Sequence, residues 1–437
     1  MDFSFSAADH AFRGRARAWL AERLGPGGAF ADLHDAENTP DPARRRAWER
    51  ELGAGGWIGL GLPRAPGVPG DGPSGAGPSS AGPSGAGPSG SDQYDGEPSR
   101  ADLSRQVVWA EEYARAAGPA RLGIVGEHLL APTVQRHGTD AQRARFLPPI
   151  TSGTEIWCQG YSEPGAGSDL AAVRTAATLR DGAWSVTGQK TWTSLSQWAD
   201  WCFVLARTEP GSTRHRGLSL LLLPMDQPGR VDVRPIRQID GESEFSEVFF
   251  DDARADADAV LGAPGDGWRV AMDLLSFERG VGMLGRQIGY ARELRTVLRA
   301  AADSGATGDP VLRSRLVRQW ADLQVMRSNA LRTLGTAEPG TAAVAKLVWG
   351  GWHQRLGELA VQVLGPDGAL GTGGHAEGRP SAAQRLLLFS RADTIYGGSD
   401  QIQRTLIAER VLGLPREPAP GGASSAAPAT ISPTASG

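Results

Sequence analysis

Hydrophobic spacing changes character along this chain, and the changes divide it into regions. Near the start, Phe5, Phe12, Trp19-Leu20 and Leu24 recur at helical spacing. Ala47-Trp48 and Leu52 continue the pattern before a glycine-rich exit at 53–61. Helix is predicted again over 101–117, where Leu103, Val107, Ala110 and Ala114 share one face, and over 122–137 and 141–146. From about Glu155 to Gly262 the period shortens to that of strands. Trp184-Ser185-Val186-Thr187 alternates, whereas 201–206 and 218–223 are unbroken apolar runs, the pattern of strands covered on both faces. Val231-Asp232-Val233 and 247–250 extend the series. After Gly265 the helical period returns. Leu312, Leu316, Trp320, Leu323 and Ala330 form one stripe, Val348, Trp352, Leu356, Leu359 and Val363 a second, and Ile402 with Leu406 opens a third.

These shifts predict an α+β chain with a helical domain at 1–154, a β domain at 155–264 and a helical bundle at 265–415. Two segments stand outside it. Gly-Pro-Ser recurs at Gly72, Gly77, Gly82 and Gly87, a five-residue beat with almost no apolar side chains. Such a stretch buries too little surface to offset its ordering entropy, so 65–99 reads as a disordered loop. The Ala/Pro/Ser-rich end, 416–437, reads as a solvated tail.

Charge narrows the function. A net charge of −4, from 45 basic and 49 acidic residues, supplies no basic field for nucleic acid. The two cysteines, Cys158 and Cys202, sit in apolar runs and read as buried thiols of a reducing compartment, with no metal site and no disulfide framework. No apolar run approaches the roughly 20 residues of a membrane span. Asp2, Asp9 and Glu22 among the early arginines favour a folded amphipathic helix over a transit peptide, and the expected location is cytoplasmic.

Two short runs carry chemistry. Ser162-Glu163-Pro164-Gly165-Ala166-Gly167-Ser168-Asp169 is a glycine-rich turn, and Gly188-Gln189-Lys190-Thr191-Trp192-Thr193-Ser194 follows an intervening strand pattern. Pro164 fixes its φ, and Gly165 and Gly167 permit positive φ and a close backbone approach. The hydroxyls of Ser162, Ser168 and Ser194 and the face of Trp192 suit a flat, polar-edged, phosphorylated cofactor. Alone, each reads more often as a turn-capping hydroxyl or a core aromatic.

The α–β–α order with these loops resembles the acyl-CoA dehydrogenase family from about Phe5 to Pro415, apart from the 65–99 insert. Three further motifs support the resemblance. They are Ser246-Glu247-Val248-Phe249-Phe250-Asp251-Asp252, Val363-Leu364-Gly365-Pro366, and Ile395-Tyr396-Gly397-Gly398-Ser399-Asp400-Gln401-Ile402-Gln403-Arg404 with the following 408–413. The ending is most similar to actinobacterial members. The resemblance implies a central β-barrel-like domain, a C-terminal four-helix bundle, FAD between them, and α,β-dehydrogenation of an acyl-CoA thioester. A base removes the α proton while the β hydride passes to the flavin, and electrons go to an electron-transfer flavoprotein.

Many relatives place the base directly after the tail tyrosine. Here that position is Gly397, which has no proton-accepting side chain. The family's second position, a glutamate early in the C-terminal domain, matches Glu278 in Leu275-Ser276-Phe277-Glu278-Arg279-Gly280. The alternative for Glu278 is a solvated helix glutamate paired with Arg279. By the same match Gln159, Tyr161, Ser162, Gly167, Trp192 and Ser194 edge the flavin ring. Ser168 faces the phosphates or the acyl-CoA entrance, and Arg279 and Tyr396 border the substrate. The Gly397 N–H donates to the thioester oxygen. Ser399 and Gln401 contact the dinucleotide, and Gln362 with Gly365 does so from a neighbouring subunit, which implies a homodimer or homotetramer. An Arg-x-x-Phe-Gly grip common among relatives is missing from 301–313. That absence leaves open a cofactor-holding subunit of a hetero-oligomer, and an oxygen-using oxidase or flavin monooxygenase on the same fold is the enzymatic alternative.

Overall fold

The computed structural model describes residues 5–34, 41–62, 100–277, 282–333, 340–370 and 380–416. The predicted loop at 65–99 and the tail from 417 onward lie outside these residues. Helix α1 (Ala7–Leu24) begins at Ser6, whose hydroxyl accepts the Asp9 N–H while the Asp9 carboxylate accepts the Ser6 N–H. Helix α2 (Pro42–Ala54) is capped by Asp41 and carries proline in its first turn, where no backbone hydrogen bond is lost. With α3 (Arg100–Arg115) these helices enclose an indole-rich core. Trp57 and Trp109 stack at 4.4 Å, and Trp48 is almost fully buried, its Nε1 donating to the Tyr113 hydroxyl at 2.8 Å. The helix predicted over 122–137 is a π turn (Gly126–Leu130) running into α4 (Ala131–His137), and α5 (Asp140–Thr151) follows.

Eight strands make one curled sheet. They are β1 (Trp157–Gly160), β2 (Ala176–Arg180), β3 (Ala183–Ser194), β4 (Trp201–Arg207), β5 (Leu218–Pro224), β6 (Val231–Pro235), β7 (Phe245–Asp256) and β8 (Val260–Leu261). Their order is β6-β7-β3-β2-β4-β5-β8, with β1 parallel to β4. The apolar runs at β4 and β5 are covered on both faces, as their composition predicts. One face joins Cys158, Trp184, Val186 and Val248 inside the curl. The other meets Trp157, Tyr161 and residues of α4, α5 and the later helix α6 (Gly267–Phe277). Cys158 and Cys202 are register neighbours on β1 and β4, both buried and free. Burial, with the Cys202 thiol alongside, pushes the Cys158 thiol well above its ordinary range, so it is held as a neutral core group.

The C-terminal helices are α7 (Gly282–Asp303), α8 (Pro310–Thr333), α9 (Thr341–Gln362), α10 (Pro366–Leu370), α11 (Ala382–Phe389) and α12 (Asp400–Leu406). A 3₁₀ segment, Ser390–Thr394, joins α11 to the tail motif. Leu294, Leu316, Leu323, Trp352, Leu356 and Leu359 form their core. Two stripe residues depart from expectation. Trp320 is 55% exposed and Val348 43%. On α8 the buried line runs through Leu316, Gln319, Leu323 and Met326. At 100° per residue Trp320 falls roughly 80° away from the centre of that line. Hydrophobicity placed it on the face; geometry puts it at the edge.

Truncating Trp48 to alanine empties the centre of the N-terminal core and removes a buried indole hydrogen bond. We expect a loss of about 3–5 kcal/mol in denaturant-induced unfolding, with the same change at exposed Trp320 costing far less.

Candidate active site

The two glycine-and-serine runs come together through a buried charge. Lys190, on β3, is completely buried. Its Nζ donates to the Tyr161 carbonyl at 2.9 Å, the Glu163 Oε1 at 2.9 Å and the Leu205 carbonyl at 2.7 Å. Glu163 is itself buried, and accepts the Arg174 and Thr175 backbone N–H groups at 2.7 and 2.8 Å. All three ammonium protons and both carboxylate oxygens are therefore paired, as a charge taken out of water requires. Burial works against ionisation of Glu163, but the Lys190 charge and the backbone donors outweigh it and hold the carboxyl below its usual range. A further bond, Thr191 N–H to the Ser162 carbonyl at 2.9 Å, closes the seam.

Fixed this way, the first run folds into a tight turn in which Glu163 and Ala166 exchange backbone hydrogen bonds across Pro164-Gly165. Positive φ was expected at Gly165 and Gly167, and neither adopts it. Their use is space: nothing lies within 4 Å of where a Cβ would be at either position. The left-handed backbone falls instead on Trp192 (φ 58°) and Leu195 (φ 60°), next to a register shift between β3 and β7 at Lys190–Thr193. A β-bulge of this kind re-aims a side chain, and the strain of a non-glycine residue there is of order 1–3 kcal/mol. The result is an indole 59% exposed, propped edge-on by Phe245 at 6.1 Å.

The other expected ring-edge residues differ in exposure. Ser194, opposite Phe245 in the register, Gln159 on β1 and Ser162 are half-buried, while Gly167 and Ser168 are exposed. Tyr161 differs: its ring lies in the core, edge-on to Phe203 at 5.8 Å, and its carbonyl is taken by Lys190. Thr193 Oγ1, buried between Trp192 and Ser194, has no hydrogen-bond partner among the described residues. An open cradle of glycines, a presented indole and an unpaired hydroxyl fit the edge and face of a flavin.

Charges from three regions converge beside it. Glu244, one residue before Phe245, keeps an exposed surface, yet the protein packed around it raises its carboxyl above the ordinary value by desolvation. Arg45 of α2, Arg286 of α7 and Arg385 of α11 oppose that rise, so all three stand within electrostatic reach. Arg286 also acts on Tyr396 in the tail and on His128 in the π turn. In the tail, Gly397 and Gly398 take left-handed φ of 62° and 83°, and both carbonyls accept the Gln403 amide at 3.2 Å. Ser399 caps α12 through Ile402 N–H, and Gln401 is exposed. Glu278 and Arg279 follow Phe277, the last residue of α6, and lie outside the described residues.

Gln362 and Gly365 are not brought to the tail within one chain. Lys346 touches Asp393 near the tail, and Gln362 lies 16 residues further along α9. At 1.5 Å per residue that is about 24 Å. Gln362 accepts a hydrogen bond from Arg315, and the space above Gly365 is open.

The whole chain belongs to the acyl-CoA dehydrogenase family. Models of that family's N-terminal, middle and C-terminal domains match residues 86–154, 158–253 and 265–412. It is an oxidoreductase acting on CH–CH groups, and the cofactor of the family is FAD. Among individual relatives, the chain is 50% identical over 416 residues to acyl-CoA dehydrogenase IpdE1 of Mycobacterium tuberculosis, covering 93% of this chain and 98% of that one. Its fold is similar to that of the Tcur3481-Tcur3483 steroid ACAD, with a TM-score of 0.74, 25% identity, and coverage of 95% and 100%. It is also similar to a chain of the ChsE4-ChsE5 complex from Mycobacterium tuberculosis, with a TM-score of 0.72, 25% identity, and coverage of 96% and 100%. Among the described residues no helix is long and apolar enough to cross a membrane, and no group of histidine, cysteine and acidic side chains could hold a metal ion.

Glu163 and Lys190 stand in the motifs, but their pairing was not read from them. The available signal was two charges inside otherwise apolar or turn-forming runs. Phe245 had none, sitting one residue before the Ser246–Asp252 motif and outside the run whose Trp192 it supports.

Lys190→Met leaves the Glu163 carboxylate buried without a cation, and should cost about 3–5 kcal/mol and release flavin. Because the Glu163 carboxyl lies below its unfolded value near 4.5, its contribution to stability is present above that pH and is lost as pH falls through the folded value. Unfolding measured from pH 7 to pH 3.5 should show this acid loss in the native protein, and a smaller one in Glu163→Gln.

Proposed function

We propose that this chain catalyses α,β-dehydrogenation of an acyl-CoA thioester, with Glu278 as the α-proton base and an electron-transfer flavoprotein as the electron acceptor. The observation that carries this reading is the platform of Trp192, Ser162 and Ser194 locked by the Lys190–Glu163 pair, in a chain half identical to an acyl-CoA dehydrogenase along nearly its full length. FAD, when bound, accepts the β hydrogen with its electron pair.

The protein's own residues do the rest. A base is needed beside the α carbon, and Gly397 offers no side chain, which leaves the Glu278 position. The Gly397 N–H donates to the thioester oxygen and stabilises the charge that gathers there as the α proton leaves; glycine serves this role as well as any residue. Trp192 covers the ring, Ser162 and Ser194 bond its polar edge, and Ser168 with Arg279 and Tyr396 orients the acyl-CoA. Ser399 and Gln401 hold the dinucleotide. The likeness to a steroid ACAD favours a bulky, ring-bearing acyl group.

A second reading concerns assembly. Gln362 stands about 24 Å along α9 from the Lys346 contact beneath the tail, with Gly365 just past the helix end, a separation that supports their serving a cofactor in another subunit. Exposed Trp320 and Val317 on α8 offer an apolar face to such a neighbour. The partner is a second copy or, as in the ChsE4-ChsE5 complex, an unlike chain. Measuring the mass of the purified protein, alone and co-expressed with a candidate partner, separates the two.

The purified chain, with its partner if one is required, should be yellow and bleach anaerobically when a matching acyl-CoA is added. A panel spanning straight, branched and ring-bearing acyl groups identifies the match. A colourless protein, or a flavin that no thioester reduces, would sink the reading, and rapid reoxidation by air would point to an oxidase. Glu278→Gln should keep the flavin spectrum and lose about 10²–10⁴ in the reduction rate. Near-native turnover would remove Glu278 from the base role.

A further inference from the structure

A buried set of charges lies beneath the tail turn, outside the flavin platform. His353, on α9, has Nδ1 2.5 Å from Asp393 Oδ2 and Nε2 2.8 Å from Glu293 Oε2 of α7. The second oxygen of Asp393 accepts the Tyr396 hydroxyl at 2.6 Å. His353 and Asp393 are both buried. With a carboxylate at each ring nitrogen, the imidazole donates twice and holds its proton. Burial opposes that charge, but the two carboxylates prevail and lift His353 to about 9. Lys346 completes the set: its Nζ donates to the Asp393 carbonyl and lies over the rings of Trp349, at 4.1 Å, and Tyr396, at 4.8 Å. Tyr290 packs on the imidazole at 4.7 Å, and Arg286 lies over Trp349 at 5.5 Å.

A buried ion network of this kind is poor evidence for stability, because apolar side chains of equal volume do as well or better. What it does supply is geometry. Each charge here fixes the next, and the last link is a phenol one residue before Gly397. We propose that Asp393, held by His353, which Glu293 pins from its other ring nitrogen, is a positioning group that fixes the Tyr396 ring and with it the Tyr396-Gly397-Gly398 turn against the acyl-CoA. The proposal rests on the reading that this turn borders the thioester. The Tyr396 hydroxyl is already donated to Asp393, so the tyrosine presents its ring, and the turn its Gly397 N–H, to the substrate. Gln403 holds the turn from the α12 side through both glycine carbonyls. The turn is thus gripped at both ends.

The test is a double-mutant cycle on binding of a non-oxidisable 3-thia-acyl-CoA, with the acyl group that bleaches the flavin fastest, read from the visible spectrum of the flavin-loaded protein. His353→Gln and Tyr396→Phe should each weaken binding about tenfold while flavin content is unchanged. If the chain of bonds acts as a unit, the double variant is also about tenfold weaker. A second measurement needs no His353 variant. Because His353 is protonated below about pH 9 and loses its proton above it, affinity of the native protein should fall as pH rises through that value. Tyr396→Phe, in which the link is cut, should lack that step. Additive effects near a hundredfold, or a flat native profile, overturn the proposal. A flavin-loaded native protein whose spectrum answers to no acyl-CoA overturns the proposed function as well.

Discussion

A single ammonium group holds the Trp192 platform together. Lys190 reaches three acceptors contributed by the β1 exit, the glycine-rich turn and β4, and so ties the turn to two strands that already pair in the sheet. The ion pair with Glu163 then passes the constraint to Arg174 and Thr175, where the chain enters β2. Because the ammonium and both carboxylate oxygens are paired, the low dielectric of the site strengthens these bonds rather than penalising them. Removing any one leaves the others as uncompensated buried groups. The serine hydroxyls and the open glycine turn are surface features of this buried knot.

The bulge at Lys190–Thr193 shows what the knot makes possible. A regular strand would send Lys190 and Trp192 to the same face, both inward or both outward. The register shift and the left-handed Trp192 let the lysine go fully inside while the indole stays outside. The strain is local, and the hydrogen bonds of the seam offset it.

The amino-acid sequence discloses the architecture well and the site in part. Periods of two and 3.6 are local properties, so the helical, strand and helical regions could be read directly, as could the double burial of β4 and β5. Trp320 was misplaced because hydrophobic character does not report angle at the margin of a stripe. Glu163 and Lys190 are 27 residues apart and His353 and Asp393 are 40 apart, and such pairings are tertiary events with no local signature. Backbone sign was hidden for the same reason. Gly165 and Gly167 advertise positive φ by composition, whereas the residues that take it, Trp192 and Leu195, do so because a bulge between two long strands demands it.

The exposed face of Trp192 has a bearing on the life of the chain before any cofactor arrives. A large indole on a rigid β-bulge, with Phe245 beside it, is an adhesive spot that only a flat aromatic ligand would cover. On the proposed reading, flavin does for this surface what a neighbouring subunit does for an ordinary apolar patch. On that reading a chain made without flavin keeps its indole bare, so the supply of cofactor bears on how long the chain lasts as well as on what it does.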